Sequence, residues 1–435
     1  MNEFSSEAEH RAWLHAQSQL PQGFRVGTRK FEFKSVELRK PASMTLTVIA
    51  LDEATDTFSC LFTSNAFPGA PITVGREVAA SGKIGAILVN NKISNVCAPQ
   101  GVEDCRATCE KLAELLNQDA TEILPGSTGV IGWKLPVPAM IEQLPAAVAN
   151  LQADSIYPAA EGIVTTDLYP KVRSQQVGDA RIVGIAKGAG MIEPNLATML
   201  VYIFTDAKIE KDELDAMFRT AVQSSFNRIT IDSDQSTSDI AAVLSSKKVA
   251  VPDANAFQTA LTQVCHDLAL DLVRNGEGVK HVVQVSVAGA PSREAAHRLG
   301  KDVANSPLVQ TAICGNDPNI GRLLMALGKN MATACPGYDV TQCHLQIGGR
   351  TVFENGACVV NDALETELSD YLKNAQLYET QAPDADGKFH PPVTWPTHER
   401  LVEIDVRLGV GEGSATVWGS DRTHEYITEN ADYRS

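Results

Sequence analysis

The chain has 435 residues, of which 44% are hydrophobic and 21% are charged, an ordinary composition for a globular protein. Its formal net charge of -16 disfavours nucleic acid and anionic lipid as partners, because both carry negative charge. No apolar stretch approaches the ~18 residues of a membrane span, and the first residues lack the basic and apolar regions of a secretory signal. We therefore expect a cytoplasmic protein that binds neither nucleic acid nor membrane.

The cysteines also favour a reducing compartment. Their number, nine, is odd, and a chain of this length does not need a disulfide framework. Cys105 and Cys109 could suggest a metal pair, but helical spacing places them on one face with Leu112, Leu115 and Leu116. Two core thiols are the better interpretation, and no zinc-ligand spacing occurs elsewhere. We expect no bound metal.

Hydrophobic periodicity predicts interleaved helices and strands. Apolar residues recur at helical spacing over 211–226 and again over 256–273. Residues 281–289 and 401–408 alternate as strands do, and the second strand is predicted to belong to an antiparallel sheet with one buried face. The pattern indicates a mixed α/β protein.

Several polar or glycine-rich stretches are better explained by structure than by ligand binding. Residues 232–239 lack the spacing of a calcium loop and are predicted to cap a helix beginning near Ile240. "GVGEG" at 409–413 is followed by a strand where a dinucleotide site needs a helix, so we interpret it as a hairpin. "PGSTGVIG" at 125–132 lacks the Lys-Ser/Thr ending of a nucleotide loop, and the proline-rich 381–399 is predicted to be a surface loop.

Thr198 stands where a glycine-rich turn becomes the apolar run 197–204. A neutral threonine hydroxyl is a weak nucleophile that needs a base. If the chain breaks before Thr198, the freed α-amine, with a pKa near 8, can act as that base. From the residues alone, a self-cleaving nucleophile and an ordinary threonine at the start of a strand both fit, and the second is the commoner case.

A wider set of motifs resembles the ornithine acetyltransferase (glutamate N-acetyltransferase) family of arginine biosynthesis. The resemblance covers about residues 120–435, with the motifs in the family's order. The motifs are "PGSTGVIG" (125–132), "VTTD" (164–167), "KGAGMIEPNLATMLVYIFTDA" (187–207), "SSFNRITIDSDQSTSD" (224–239), "GEG" (276–278), "SPLVQTAICGNDPNIGR" (306–322) and "ITENADYRS" (427–435).

The resemblance implies a fold and a processing step. The expected fold is a layered αββα sandwich similar to N-terminal nucleophile hydrolases. Self-cleavage between Ala197 and Thr198 would give an α chain, 1–197, and a β chain, 198–435, that build one intertwined core, with a smaller lobe at 286–380. Two chains of each kind are expected to associate, and no metal or organic cofactor is implied.

The resemblance also implies an activity. Thr198 would take the acetyl group of N2-acetylornithine and pass it to glutamate, and acetyl-CoA could serve as a further donor. Three alternatives stay open: an amidase or aminopeptidase on the same scaffold, a secondary-metabolism acyltransferase, and a non-catalytic amino-acid-binding paralogue.

The family's site residues map onto positions of this chain. Thr128 and Gly129 match the oxyanion hole, the donors that stabilise a negatively charged tetrahedral oxygen. The matched substrate-binding residues are Thr165, Lys187, Thr198, Glu277, Asn430 and Ser435. Thr166 takes the place of Thr165 if the match to the family motif is shifted by one residue.

The chain departs from the family at two turns. The family's Asn-Ser-Gly-Asn-Ala-Asn-Ala segment is "NNKISNV" at 90–96, so Lys92 stands in place of the turn glycine. Ser233 likewise replaces a glycine. The first departure leads us to expect weak or no use of acetyl-CoA.

Overall fold

The computed structural model describes residues 2–34, 37, 40–193 and 199–432. The chain divides into two compact units. The sandwich unit comprises residues 11–227 and 235–272, and the C-terminal unit comprises residues 1–10, 228–234 and 273–435.

Helices and strands alternate along the described part of the chain. The helices are α1 (Glu7–Gln17), α2 (Ala70–Ser81), α3 (Gly101–Leu116), α4 (Val137–Ala149), α5 (Tyr157–Gly162), α6 (Lys211–Ser224), α7 (Ala254–Arg274), α8 (Arg293–Ala304), α9 (Pro307–Cys314), α10 (Ile320–Ala334), α11 (Asp362–Ala375) and α12 (His424–Ala431). The strands are β1 (Phe24–Phe33), β2 (Ala42–Thr55), β3 (Phe58–Phe62), β4 (Ile84–Asn90), β5 (Ile123–Ser127), β6 (Lys171–Val177), β7 (Ala180–Lys187), β8 (Leu200–Lys208), β9 (Ile240–Ala250), β10 (Val282–Ala290), β11 (His344–Ile347), β12 (Arg350–Glu354), β13 (Ala357–Cys358), β14 (Val402–Arg407) and β15 (Gly413–Ser420).

The sandwich unit contains two sheets. Among the described residues, the first has the order β1-β2-β4-β5 and the second the order β3-β9-β8-β7-β6. In the first sheet β4 and β5 run parallel, and in the second β8 and β9 do. β8 therefore lies between β7 and β9, inside the second sheet.

The two sheets pack face to face with helices on their outer sides. The Phe24 ring of β1 meets the Phe204 ring of β8 with 5.2 Å between the centroids. On the outer side of the first sheet, a Cβ at Gly27 would lie 2.2 Å from the Ala147 carbonyl oxygen of α4. On the outer side of the second sheet, a Cβ at Gly184 would lie 2.7 Å from Leu268 of α7. The order is helix, sheet, sheet, helix, which confirms the expected αββα sandwich.

The first five residues of β8, 200–204, are apolar on both sides because the strand is covered on both sides. Leu200, Tyr202 and Phe204 belong to the core between the two sheets. Ile203 instead lies beside Gly184, on the side that α7 covers. The predicted strand is therefore confirmed from Leu200 onward, while Ala197 and Thr198 lie outside the described residues.

The C-terminal unit has one sheet among its described residues, in the order β13-β12-β11-β14-β10-β15. The predicted strands at 281–289 and 401–408 are confirmed as β10 and β14, and β14 buries alternate residues. Two details of the prediction were wrong. β14 runs parallel to β10 and antiparallel to β11, so the sheet is mixed. β15 pairs with β10 rather than β14, so 409–413 is a crossover and not a hairpin.

The helix predicted near Ile240 was also wrong, since this residue begins strand β9. β9 lies between β3 and β8, and its first six residues are all buried. A strand covered on both faces has a continuous apolar run, which cannot be told from a buried helix by periodicity. The helices predicted over 211–226 and 256–273 are confirmed as α6 and α7.

Each of the nine cysteines lies in the described part of the chain and is a free thiol. Cys105 and Cys109 are buried on α3, as predicted. Within residues 2–34, 37, 40–193 and 199–432, no helix has the length and apolar character that crossing a membrane requires.

Candidate active site

The turn after β5 carries Thr128 and Gly129. It docks on the segment after β4, because the Thr128 N–H donates to the Asn90 carbonyl at 3.0 Å and the Val130 N–H donates to the Lys92 carbonyl at 3.0 Å. Ser94 completes the contact by donating its N–H to the Val130 carbonyl at 3.1 Å and its hydroxyl to the same oxygen at 2.9 Å. We call residues 90–94 the docking segment. The turn is held by its backbone on both sides of Gly129.

Only glycine fits at position 129. Its φ is 130°, outside the usual range of L side chains, and a Cβ there would lie 2.1 Å from the Lys92 carbonyl carbon. Within the described part of the chain, the Thr128 hydroxyl and the Gly129 N–H have no hydrogen-bond partner. The turn thus presents two adjacent unpaired donors, the arrangement that stabilises a developing oxyanion.

The docking segment keeps its turn without the family's glycine. Lys92 has a φ of 72°, the left-handed conformation that glycine adopts most easily. Ser233, the second replaced glycine, has a φ of 63°. At both departures the backbone thus adopts a left-handed conformation that glycine favours.

Lys187 and the start of β8 are neighbours in the second sheet. Lys187 is the last residue of β7 and pairs with Leu200, the first residue of β8. On the other side of β8, the Ile240 N–H donates to the Met199 carbonyl at 3.0 Å. Met199 directly follows Thr198 in the sequence. The predicted nucleophile is thus tied by sequence to a strand end that β7 and β9 flank.

Asp167 organises the loop that contains Thr165. Its carboxylate accepts the Thr165 N–H at 3.1 Å and the Gly188 N–H at 2.9 Å, and it forms a buried ion pair with Lys171. Burial alone would raise the pKa of Asp167, but the charges of Lys171 and Lys187, with these hydrogen bonds, lower it to about 2. The Thr165 loop is therefore fastened to the end of β7 by an ionised carboxylate.

Asp239 is a site residue that sequence reasoning missed. It directly precedes Ile240, is 2% exposed, and its Oδ2 has no hydrogen-bond partner among the described residues. Burial raises the pKa of Asp239 well above its usual value, and the opposing charge of Lys187 does not cancel that rise. A buried carboxyl group with a raised pKa therefore lies beside the start of β8. Its signal in the sequence was a single carboxylate immediately before an apolar run.

Glu277 and Asn430 meet in the C-terminal unit. Gly278, at φ 63°, packs against the start of α12, where a Cβ would lie 2.2 Å from the Tyr426 nitrogen. Thr423, the N-cap of α12, donates its hydroxyl to the Gly278 carbonyl at 2.6 Å. With the turn fixed there, Asn430 Nδ2 donates to Glu277 Oε2 at 2.8 Å. Two predicted substrate residues are thus brought together, while Ser435 lies outside the described residues.

The other described site residues, namely Thr128, Gly129, Thr165 and Lys187, belong to the sandwich unit. The described residues contain no cluster of three or more His, Cys, Asp or Glu side chains suited to a metal ion. An αββα sandwich whose first sheet, facing β8, ends in a turn with two donors unpaired among the described residues has the features of an acyl-transferring enzyme of the N-terminal nucleophile type.

Comparison with known proteins identifies the family. A profile described as the ArgJ family matches residues 30–435. Arginine biosynthesis bifunctional protein ArgJ 2 of Clostridium acetobutylicum is 37% identical over 86% of this chain and 89% of its own. Arginine biosynthesis bifunctional protein ArgJ of Pseudomonas syringae pv. tomato is 34% identical over 95% of this chain and 96% of its own. The chain belongs to the ArgJ family, which confirms the resemblance found in the sequence.

A solved structure is also similar. The crystal structure of arginine biosynthesis bifunctional protein argJ from Bacillus halodurans is 29% identical and covers 53% of this chain and 98% of that chain. The TM-score is 0.43, so the family assignment rests on the sequence matches.

Proposed function

We propose that this protein transfers the acetyl group of N2-acetylornithine to glutamate in arginine biosynthesis, as an ornithine acetyltransferase. The observation that carries the proposal is the turn with two donors, the Thr128 hydroxyl and the Gly129 N–H, that have no partner among the described residues, in a chain that belongs to the ArgJ family. Two relatives are named arginine biosynthesis bifunctional proteins.

The nucleophile is generated by self-cleavage. The Thr198 hydroxyl oxygen attacks the carbonyl carbon of Ala197, the carbon–nitrogen bond breaks, and the hydroxyl proton passes to the leaving nitrogen. Water then hydrolyses the resulting ester. The products are an α chain, 1–197, and a β chain, 198–435, whose new α-amine serves as the base for the Thr198 hydroxyl. β7 precedes the cleavage point and β8 follows it, so their pairing holds the two chains together.

Acetyl transfer then proceeds in two covalent steps. The Thr198 oxygen attacks the acetyl carbonyl of N-acetylornithine, and the oxyanion accepts hydrogen bonds from Thr128 and Gly129. The carbon–nitrogen bond breaks, and ornithine leaves with the proton taken from the threonine. The glutamate amine attacks the acetyl-threonine in turn and releases N-acetylglutamate. One site serves donor and acceptor, because both present an α-carboxylate and a similar backbone.

Charged and polar side chains recognise that shared backbone. Lys187 supplies a cation for an α-carboxylate, and Thr165 supplies a hydroxyl. In the C-terminal unit, the Glu277 carboxylate accepts a hydrogen bond from an N–H group of the substrate, and Asn430 orients that carboxylate through the 2.8 Å hydrogen bond. Ser435, matched by the family motif, is a further proposed substrate residue. Two α and two β chains associate, and the enzyme works in the cytoplasm, where its free thiols stay reduced.

The first test is the processing of freshly expressed protein. A denaturing gel should show two fragments, and N-terminal sequencing of the larger one should begin at Thr198. Thr198→Ala should remain a single inactive chain. Thr205→Ala is the matched control, since Thr205 is a buried threonine of β8, and it should be cleaved. A single full-length band from active wild-type protein would exclude the mechanism.

The second test separates transfer from hydrolysis. Double-reciprocal plots with N-acetylornithine and glutamate should be parallel, as a covalent acetyl-enzyme requires. Release of acetate at the same rate with and without glutamate would identify a hydrolase instead. Replacing N-acetylornithine by acetyl-CoA in this assay should give weak or no turnover.

A further inference from the structure

Asn90, the last residue of β4, ties together both sides of the turn that carries Thr128. Its side chain is 3% exposed. Oδ1 accepts the Ser127 hydroxyl at 2.7 Å, and Nδ2 donates to the Ile93 carbonyl at 2.8 Å. Its own carbonyl accepts the Thr128 N–H at 3.0 Å. One buried amide thus holds both Ser127, at the end of β5, and the Ile93 carbonyl of the docking segment.

Asn91, the next residue, reaches a different part of the site. It is 7% exposed, and its Oδ1 accepts the Thr45 N–H of β2 at 2.8 Å. Its Nδ2 donates to the Val164 carbonyl at 3.2 Å, directly before Thr165. Asn91 therefore fastens the Thr165 loop to the same sheet that carries the turn.

We propose that Asn90 and Asn91 are positioning residues of acyl transfer. They hold the Thr128–Gly129 donors and Thr165 in a fixed position relative to each other. The proposal rests on the proposed function. Neither side chain is assigned a contact with substrate: Asn90 acts through the Ser127 hydroxyl and the Ile93 carbonyl, and Asn91 through the Val164 carbonyl and the Thr45 N–H. Buried amides with satisfied donors and acceptors make rigid supports. A displacement of about 1 Å in such a support costs roughly 100-fold in rate.

The two residues should have opposite kinetic signatures. Asn90→Ala frees the turn that holds the oxyanion donors, so kcat should fall about 10- to 100-fold while KM for N-acetylornithine stays within about threefold. Asn91→Ala frees the Thr165 loop, so KM should rise about tenfold with a smaller change in kcat. If the two residues only stabilised the fold, both variants would have less active enzyme, but kcat and KM per active site would not change. Rates are therefore expressed per acetylated site, which removes the effect of inactive protein.

Asn95→Ala is the matched control. Asn95 is also a buried asparagine close by, 1% exposed, and its Nδ2 donates to the Gly101 carbonyl at 2.8 Å. This hydrogen bond leads to α3 rather than to the turn or the Thr165 loop. The variant should lose stability as the other two do, yet kcat and KM per active site should match wild type.

Ser127→Ala keeps the test decisive if Asn90→Ala fails to fold. It removes the hydroxyl that donates to Asn90 at 2.7 Å. It should lower kcat in the same direction. Where Asn90→Ala does fold, the Asn90→Ala/Ser127→Ala double variant should lose less than the sum of the two effects. If wild-type protein transfers acetyl, and the Asn90, Asn91 and Ser127 variants all have the kcat and KM of Asn95→Ala, the positioning role is wrong and the proposed function stands. Wild type that forms no acetyl-enzyme would overturn the proposed function instead.

Discussion

Replacing Gly129 by alanine perturbs the oxyanion turn at its tightest point. Gly129 has a φ of 130°, and a Cβ there would lie 2.1 Å from the Lys92 carbonyl carbon and 2.3 Å from its oxygen. Both are backbone atoms of the docking segment. They cannot rotate away as the end of a flexible side chain could, so the turn itself has to move.

The size of the effect follows from these distances. Ordinary contact begins at 3.4 Å, so the turn and the docking segment must separate by about 1 Å. Such a shift of the oxyanion donors lowers kcat by roughly 100-fold. The backbone strain and the overlap together cost about 3 kcal/mol in the free energy of unfolding.

Gly132→Ala is the matched control for this experiment. Gly132 also has a positive φ, 86°, but no atom lies within 4 Å of a Cβ placed there. This variant should lose only about 1 kcal/mol and keep its kcat. Urea unfolding and steady-state kinetics measure both quantities. Equal losses in the two variants, or full kcat in Gly129→Ala, would refute the docked-turn explanation.

Three further predictions concern single side chains. Thr128→Ala should lose about two to three orders of magnitude in kcat, with little change in the Kd for N-acetylornithine measured by calorimetry; weaker binding with unchanged kcat would assign Thr128 to substrate recognition. Lys92→Gly should raise the free energy of unfolding by about 1 kcal/mol in urea titrations, because Lys92 is exposed and its φ is 72°; a loss of stability would show that the lysine side chain matters. The pKa of Asp167 is lowered to about 2 in the folded state, so its stabilisation is complete above its unfolded pKa and is lost as the pH falls through about 2. Between pH 5 and pH 2, wild type should therefore lose about 2 kcal/mol more stability than Asp167→Asn, and equal losses would contradict an ionised Asp167.

Local patterns in the sequence predicted the elements that have one exposed face. The helices over 211–226 and 256–273 and the strand over 401–408 were correct because burial on one side leaves a periodic pattern. Ile240 was assigned to a helix because β9 is covered on both faces and has no such pattern. The crossover at 409–413 depends on β10 lying between β14 and β15, a long-range pairing that no local signal reveals.

The candidate site was partly predictable for a similar reason. Thr128, Gly129, Glu277 and Asn430 came from family motifs, and the structure places them in two local pairs. Asp239 was missed because its importance comes from burial and from a missing hydrogen-bond partner among the described residues, neither of which is visible in a sequence.

The loss of the turn glycine at Lys92 suggested an altered segment. The structure instead has a lysine in the left-handed backbone conformation that a glycine would favour. A residue's conformation is set by the hydrogen bonds around it, here those of Asn90 and Val130, as well as by its own preference.

The most direct measurement of the central claim is the mass of the chain that begins at Thr198 after mixing with N-acetylornithine alone. Acetyl transfer through a threonine nucleophile predicts a gain of one acetyl group, located on Thr198 by fragmentation. Adding glutamate should remove it and yield N-acetylglutamate. An unmodified chain from enzyme that still makes N-acetylglutamate would contradict the account.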